Sequence, residues 1–160
     1  MSMRPSFTIR PATSRDEAAV LALVPRLRAF ESSQTLREPE ALDAGELRTL
    51  RRFFAGNPSG ALLWVAEDQG AVIGMAYAQR TTDYFTQENH GHLGILAVAE
   101  DAEGRGIGKA LLATVEQWSR DAGFRFLSLN VFAENSRALA VYEKAEYRAD
   151  FVRYVKQLRS

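Results

Sequence analysis

The sequence predicts one α/β domain, an α+β arrangement with a mixed central sheet of about six or seven strands and about four flanking helices. Three observations predict it. The 160 residues suffice for one hydrophobic core and are too few for two comfortable ones. Two apolar runs separated by only Asp68, Gln69 and Gly70 are typical of a β-hairpin, hence of antiparallel strands. In the second half, strand-like runs alternate with segments of helical periodicity.

The first elements are one strand and two helices. Residues Phe7 to Ala12 alternate briefly around Pro11, which predicts a short edge strand. Apolar residues recur at helical spacing from Asp16 to Phe30, and Pro25 is expected to kink or divide that helix. A second helix is expected over Ala41 to Phe54, ending at a turn rich in glycine and proline.

The remaining elements complete the sheet and its helices. The hairpin strands are expected at Ala61 to Glu67 and Ala71 to Gln79, followed by a strand at His92 to Val98. A helix should run from about Ile107 to Arg120, with Ile107, Leu111, Val115 and Trp118 on its buried face. The chain then predicts a strand, a short helix and one or two final strands, at Phe126 to Phe132, Asn135 to Ala145 and Tyr147 to Leu158. All of it is expected to form a single domain over residues 1–160.

The composition excludes several classes of function. Twenty basic residues balance twenty acidic ones, so the whole chain has no field that would gather nucleic acid or anionic lipid. Because there is no cysteine, disulfides, thiolate metal sites and a cysteine nucleophile are impossible. Two histidines without a third ligand predict no metal site. The N-terminus lacks a secretory signal and no run could span a membrane, so the cytoplasm is the expected location.

The segment Glu103 to Ala110, EGRGIGKA, carries three glycines at the start of the third predicted helix. It fails as a nucleotide-triphosphate P-loop, because Glu103 replaces the first glycine and Ala110 the hydroxyl residue that follows the lysine. It also fails as a dinucleotide fingerprint, because its glycines are spaced G-x-G-x-G. What remains is a glycine-rich loop whose backbone, without side chains, precedes the N-terminus of a helix.

Such backbone suits a diphosphate. The first amides of a helix have no intrahelical partner and carry the positive end of the helix dipole. Glycine lets an anion approach them without an intervening side chain. The alternative is a glycine-rich turn that binds no ligand.

These residues resemble the signature of the GCN5-related N-acetyltransferase (GNAT) superfamily. The signature is Gln or Arg, two residues, Gly, one residue, then Gly or Ala, after a strand with a Leu-x-Val pattern. Leu96 to Val98 match the strand and Glu103 to Gly108 match the signature, with Glu103 departing from its usual first residue. Downstream, the stretch LNVFAENSRALAVYEKAEY matches a second family element through Asn130, Asn135, Ala138, Tyr142, Lys144 and Tyr147. Glu146 stands where the family commonly has glycine.

The resemblance implies an acetyl-coenzyme A site in a sheet that splays between its fourth and fifth strands. The coenzyme's amide-bearing arm would act as a substitute strand in the gap. By similarity, the main chain of Leu96, Ala97 and Val98 would meet the acetyl and pantetheine groups. The residues expected to take the diphosphate are Gly104, Arg105, Gly106, Ile107, Gly108 and Lys109. Arg105 and Lys109 could equally be solvated side chains, and Asn135 would contact the coenzyme or cap the helix after it.

The resemblance also implies catalytic roles. The Leu96 amide would stabilise the oxyanion that forms when an amine attacks the thioester. Tyr142 occupies the family's position for a general acid that protonates the leaving thiolate. The alternative is a tyrosine that fills core beside Leu139 and Val141.

His92 falls where histone-type members carry a glutamate base, and its ordinary pKa of about 6.5 suits that role. A histidine at a strand edge bonded to solvent is the alternative. His90 and Glu88 are weaker candidates for the base.

The implied reaction is direct transfer of an acetyl group to a primary amine, on a small molecule or a peptide, with coenzyme A as product. Acceptor recognition is expected in residues 31–43, 80–91 and 148–155, where Glu31, Tyr84 and Phe85 would suit a cationic amine. A catalytically silent acyl-coenzyme A sensor and an acyltransferase for longer chains remain alternatives. Neither nucleic acid nor a membrane is an expected partner, and a homodimer is a candidate because dimers are common among relatives.

Overall fold

The computed structural model describes residues 6–28 and 36–160, and the fold is a five-stranded mixed sheet with helices on both faces within that part of the chain. The strands are β1 (Thr8–Pro11), β2 (Leu62–Asp68), β3 (Ala71–Thr82), β4 (Asn89–Val98) and β5 (Leu127–Leu129). Their order in the sheet is their order in sequence. β1 to β4 are antiparallel neighbours and β5 lies parallel to β4. The predicted class and the predicted hairpin are confirmed.

The helices are α1 (Glu17–Ala22), α2 (Pro39–Phe54), α3 (Ile107–Asp121) and α4 (Ser136–Lys144). Pro25 divides the first predicted helix as expected, because α1 ends at Ala22 and a 3-10 turn follows over Val24–Arg28. The end of that helix at Phe30 lies outside the described residues. α2 begins earlier than predicted, with Pro39 in its first turn, where the missing N–H costs nothing. Within residues 6–28 and 36–160, no helix is long and apolar enough to cross a bilayer.

Two apolar layers cover the sheet, because alternate residues of each strand point to opposite faces. On one face Val65, Met75 and Ile95 pack against Val20, Val24 and Leu50 of the first helical layer. On the other face Ala76, Ala78 and Leu93 pack against Ile107, Leu111 and Val115 of α3. The predicted stripe of α3 is therefore confirmed at these three residues, each of which is 1% exposed or less.

The sheet has fewer strands than predicted, because residues 148–160 form no strand. That segment is exposed throughout, and its apolar residues include Phe151, Tyr154 and Leu158, which are 78%, 90% and 83% exposed. The expectation of one or two final strands is therefore wrong for the isolated chain. The physical reason is that a strand needs a hydrogen-bonded neighbour, and local alternation does not supply one.

The fourth strand is longer than predicted and the fifth is shorter. β4 begins at Asn89 instead of His92, and β5 keeps only three of the seven residues expected to form it. As a result β4 extends well beyond Leu93, the last residue that pairs with β5.

Candidate active site

A gap opens in the sheet between β4 and β5. The two strands pair at three positions, the last of which joins Leu93 to Leu129. β4 then continues to Val98 while still paired with β3, and its register shifts around Gly94 as in a β-bulge. Beyond Leu93, no strand within residues 6–28 and 36–160 pairs with this edge of β4, so its N–H and C=O groups there lack a strand partner. The divergence expected between the fourth and fifth strands is confirmed.

A cavity of about 400 Å³ occupies this gap. Its walls are the free edge of β4, the glycine loop before α3, the chain that follows β5 and one face of α4. The predicted site residues that line it are Leu96, Ala97, Val98, Gly104, Gly106, Ile107, Gly108, Asn135 and Tyr142. Two motifs that are separate in the sequence thus meet at one cavity.

The glycine loop holds a backbone conformation that L side chains rarely adopt. Gly104 and Gly106 both have φ of +79°, and a Cβ at either would meet nothing within 4 Å. Glycine is therefore required there by conformation and not by crowding. Gly106 is also the N-cap of α3, and it brings no side chain to the first-turn amides. The positive end of α3 is left open toward the cavity.

Gly108 is different, because neither conformation nor packing requires it. It lies in the first turn of α3 with an ordinary helical backbone, and a Cβ there would sit 3.7 Å from Val98 Cγ2, an ordinary contact. Glycine in a helix costs about 1 kcal/mol relative to alanine. A group that approaches the helix from the cavity would explain why this position carries no side chain.

Glu103, the departure from the family signature, is held by two cations. Its carboxylate forms an ion pair with Arg26, and its second oxygen lies 3.8 Å from Arg137 Nη2. Arg26 Nε also donates to the Val98 carbonyl at 3.1 Å. Arg26 and Arg137 both line the cavity, and neither was predicted as a site residue. Arg26 carries no local signal of this role, because it lies 72 positions from Val98 in sequence.

The side chains of Arg105 and Lys109 lie outside the cavity lining. Arg105 Nη2 donates to Asp68 Oδ2 at 2.8 Å and also to Ser6 Oγ, so it ties the loop to the end of β2. Lys109 is exposed. The cationic side chains in the cavity wall are instead Arg26 and Arg137.

Tyr142 lies half-buried on the face of α4 that lines the cavity. Burial raises the pKa of its phenol, so the group keeps its proton at neutral pH. The ring of Tyr147 meets it edge to face, with centroids 5.7 Å apart. Tyr147 Oη in turn donates to Glu116 Oε1 on α3 at 2.8 Å, which fastens the end of α4 to the body of the protein. The contact with Tyr147 thus restricts the orientation of the Tyr142 ring.

Asn135 is confirmed as a helix cap. Its Oδ1 accepts from the Ala138 amide at 3.1 Å and so satisfies one free N–H at the start of α4. Asn135 and Asn130 both line the cavity. The polar wall opposite β4 therefore comes from the segment between β5 and α4.

The two histidines lie on the sheet face opposite α3. His92 on β4 is half-buried, and its Nδ1 is 2.8 Å from Ser128 Oγ on β5. His90 is buried, and its Nε2 is 3.0 Å from the same oxygen. Burial lowers the pKa of both rings, so both are neutral near pH 7. The expectation that His92 meets solvent at a strand edge is replaced by a hydrogen bond to Ser128.

The structure does not place the predicted acceptor residues Tyr84 and Phe85 in the cavity wall. Tyr84 and Phe85 contact each other edge to face, and they are 83% and 78% exposed in the turn 83–88, outside the cavity lining. That turn is shorter than the predicted loop, because β3 runs to Thr82 and β4 starts at Asn89. Glu31 lies outside the described residues.

Part of the segment 31–43, which was expected to recognise the acceptor, belongs to α2, because that helix begins at Pro39 instead of Ala41. Asp43 lies within that helix and pairs with Arg28 at 2.7 Å. Glu46, one turn further along α2, lines the cavity and was not predicted. Glu46 reaches the cavity because α2 packs against the sheet, so its position depends on tertiary packing.

Residues 27–147 match the family model described as the Acetyltransferase (GNAT) family. The match covers most of the chain and both motifs that form the cavity. The chain therefore belongs to the GNAT acetyltransferase family.

Its relatives are named as N-acetyltransferases. Aminoglycoside N(6')-acetyltransferase type 1 of Stenotrophomonas maltophilia is 34% identical over 145 residues, which cover 89% of this chain and 83% of that protein. N-acetyltransferase 8F1 of Mus musculus is 36% identical over 86 residues, 54% of this chain. The chain spans only 39% of the mouse protein's length.

Solved structures share the fold. A putative acetyl transferase from Pyrococcus furiosus superposes with a TM-score of 0.73 at 20% identity, covering 95% of this chain and 99% of that one. The aminoglycoside N-acetyltransferase AAC(6')-Iy in complex with CoA gives 0.70 at 18% identity, covering 96% and 95%. At these identities the likeness concerns the fold alone.

Proposed function

We propose that the chain is an N-acetyltransferase that moves an acetyl group from acetyl-coenzyme A directly to a primary amine. One observation carries the proposal. The free edge of β4, the open N-terminus of α3 and the protonated phenol of Tyr142 all border the same cavity. They offer, in that order, unpaired backbone for the coenzyme's amide-bearing arm, a site for its diphosphate and a proton donor.

The residues present fit the coenzyme. The amides from Arg105 to Lys109 would hold its diphosphate, and the bare backbone of Gly106 and Gly108 leaves room for it. The unpaired edge of β4 from Gly94 to Val98 would bond the amides of the pantetheine arm. Arg26 and Arg137 add positive charge to the same cavity.

When bound, acetyl-coenzyme A supplies an acetyl group activated as a thioester. The Leu96 amide is the donor we assign to the acetyl oxygen, where negative charge develops during attack. Tyr142 holds the proton that the departing sulfur requires, because burial raises its pKa. His92 is the base we assign to the attacking amine: it is not in the cavity lining itself but directly precedes Leu93, which is, and burial lowers its pKa so that the ring is neutral at pH 7.

The acceptor we propose is a cationic amine, of which an amino sugar is one example. Glu46 lines the cavity on the α2 side and would attract such a group before its deprotonation. Tyr84 and Phe85 are proposed to contact the acceptor outside the cavity, and Glu31 is proposed as a further acceptor-binding residue. The relative from Stenotrophomonas maltophilia is named for an aminoglycoside, which is a polycationic amine.

Tyr142→Phe tests the proposal. The variant should lose about 100-fold or more in turnover, measured as free thiol released from acetyl-coenzyme A with a panel of amines. Its affinity for acetyl-coenzyme A, measured by isothermal titration, should stay close to wild type. Tyr147→Phe is the matched control, because it loses the hydroxyl bond to Glu116 without a role in proton transfer.

The alternatives give different results in the same assays. A silent acyl-coenzyme A sensor would bind the coenzyme and release no thiol with an aminoglycoside, a polyamine or a peptide with a free N-terminus. An acyltransferase for longer chains would turn over a longer acyl-coenzyme A faster than the acetyl form. Equal turnover by Tyr142→Phe and wild type would overturn the assignment of the general acid.

We also propose that the chain forms a homodimer through residues 148–160. Phe151, Tyr154 and Leu158 are exposed on the isolated chain, and β5 presents an outer edge at the end of the sheet. An exposed segment rich in aromatic and β-branched residues on one chain and an open sheet edge on the other are complementary between two copies. Light scattering at micromolar concentration should give twice the chain mass for wild type and one chain mass for Tyr154→Asp. A monomeric wild type would overturn the proposal.

A further inference from the structure

Three polar side chains converge on the face of the sheet opposite α3. Gly91 and Leu127 face α3, since a Cβ on Gly91 would touch Ser119, Trp118 and Leu127. Their neighbours His90, His92 and Ser128 therefore point the other way. Ser128 Oγ lies 2.8 Å from His92 Nδ1 and 3.0 Å from His90 Nε2, so a single hydroxyl bridges both rings.

The hydroxyl restricts the protonation of the two rings. A serine has one proton to donate and two lone pairs, so Ser128 can donate to one ring nitrogen while it accepts from the other. The Gly91 carbonyl is 3.5 Å from Oγ, beyond the usual range for an O–H···O bond. In that arrangement one histidine carries its proton on the nitrogen that faces Ser128, while the other presents a lone pair there.

We propose that His92, Ser128 and His90 form a proton relay for the acyl transfer. His92 Nε2 accepts a proton from the acceptor amine, His92 Nδ1 passes its proton to Ser128 Oγ, and Ser128 passes its own proton to His90 Nε2. Three N–H or O–H bonds form and three break, and the positive charge ends on His90. His92 is the catalytic base, while Ser128 and His90 are positioning residues that act through it.

His90 is placed to receive that charge. Its ring stacks on Phe126 with centroids 4.3 Å apart, which fixes its orientation and suits an imidazolium. Its Nδ1 is buried and has no hydrogen-bond partner among the described residues, so the bond to Ser128 is the one that orients the ring. A ring kept only for structure would normally have both buried nitrogens bonded.

The surrounding charges favour this direction of transfer. The carboxylate of Asp83 raises the pKa of His90 against the effect of burial, while a charge on His90 lowers the pKa of His92. The cross-strand neighbours on β3 are Thr81 opposite His90 and Gln79 opposite His92, and both are uncharged. At the end of the loop, Glu88 is paired with Arg125 at 3.1 Å. Burial lowers the pKa of both rings, and among the described groups facing them Asp83 is the one whose charge favours a proton on His90.

The proposed relay rests on the proposed acetyltransferase activity. The protonation of the two rings in the free protein can nevertheless be measured without an activity assay. The chain has only two histidines, so nitrogen NMR of the imidazole rings resolves each of them. In the free protein, His92 should carry its proton on Nδ1 and His90 should accept at Nε2. Ser128→Ala should remove this preference, and Ser128→Thr should preserve it. A proton on His92 Nε2, or rings that do not respond to Ser128→Ala, would overturn the relay.

Kinetics give the second readout. Ser128→Ala should lower kcat by about 10- to 100-fold and move the acidic limb of the pH profile, with acetyl-coenzyme A affinity unchanged. Ser128→Thr should recover most of the activity. Ser119→Ala is the matched control, because that buried hydroxyl bonds only within α3, to the Val115 carbonyl. An unchanged kcat and pH profile in Ser128→Ala would refute the relay, whereas a wild type inactive with every amine would refute the proposed function and leave the NMR result standing.

Discussion

Gly108→Asp should have opposite effects on the stability of the protein and on its affinity for coenzyme A. The position lies in the first turn of α3, at the wall of the cavity. A side chain fits there without strain, since the backbone is helical and the new Cβ would make one ordinary contact, to Val98. The substitution thus adds a negative charge at the helix N-terminus and leaves the fold intact.

The magnitudes follow from that geometry. Replacing glycine in a helix contributes a few tenths of a kcal/mol for aspartate. A carboxylate in the first turn of a helix contributes about 0.3–1 kcal/mol more through the dipole. The free energy of unfolding should therefore rise by about 1 kcal/mol. At an effective dielectric constant of 20, a further negative charge about 4 Å from one diphosphate charge costs about 4 kcal/mol. About a third of that energy already lowers the affinity 10-fold, so at least a 10-fold loss of affinity is expected.

Urea unfolding and isothermal titration with coenzyme A measure the two effects. Gly108→Ala separates the size of the side chain from its charge, and Ala113→Glu adds the same charge on the exposed side of α3. Only Gly108→Asp should lose affinity in a manner that depends on salt. Wild-type affinity in that variant would show that the diphosphate does not bind at α3. A lower stability would show that the first turn of α3 is not as described.

Three further predictions concern stability. Glu146 and Gly123 occupy matching positions just after α4 and α3, with φ of 70° and 75°. Because glycine adopts a positive φ without strain, Glu146→Gly should stabilise the protein by about 0.5–1 kcal/mol and Gly123→Ala should destabilise it by about 1 kcal/mol. Effects of the same sign in urea unfolding would contradict this prediction. Because burial lowers the pKa of His90 and His92, the unfolded chain binds more protons below about pH 6.5, so stability should fall as the pH drops through that range; a His90→Gln, His92→Gln double variant should not show that fall. The pKa of Asp16 is lowered from 3.8 to about 2, chiefly by its bond to the Arg10 guanidinium. The free energy of unfolding should therefore fall by a further 2 kcal/mol, roughly, between about pH 4 and 2. If Asp16→Asn shows the same fall, a group other than Asp16 causes it.

Local patterns in the sequence were enough to predict the main helices, the hairpin and the glycine loop. The stripe of Ile107, Leu111 and Val115 predicts α3 because helix periodicity is a property of neighbouring residues. The need for glycine at Gly104 and Gly106 is also local, since it depends on φ at those residues. The motif around Asn135 and Tyr142 placed α4 correctly for the same reason.

The sequence could not predict contacts between distant segments. Arg26 reaches the Val98 carbonyl and Glu103, and Glu46 reaches the cavity, only because helices pack across the sheet. The shared hydroxyl of Ser128 depends on the parallel register of β4 and β5, which alternation within either strand does not specify.

The C-terminal segment shows the same difference between what local sequence predicts and what long-range pairing decides. The sequence predicts one or two strands over residues 147–158, yet a strand requires a neighbour to pair its backbone, and residues 148–160 form no strand in the structure. By itself, therefore, the sequence determined the elements whose stability is local, together with the family and the loop that carries its signature. The tertiary structure alone decided which edges stay open and which charges and hydroxyls meet, because those depend on the pairing of residues far apart in the chain.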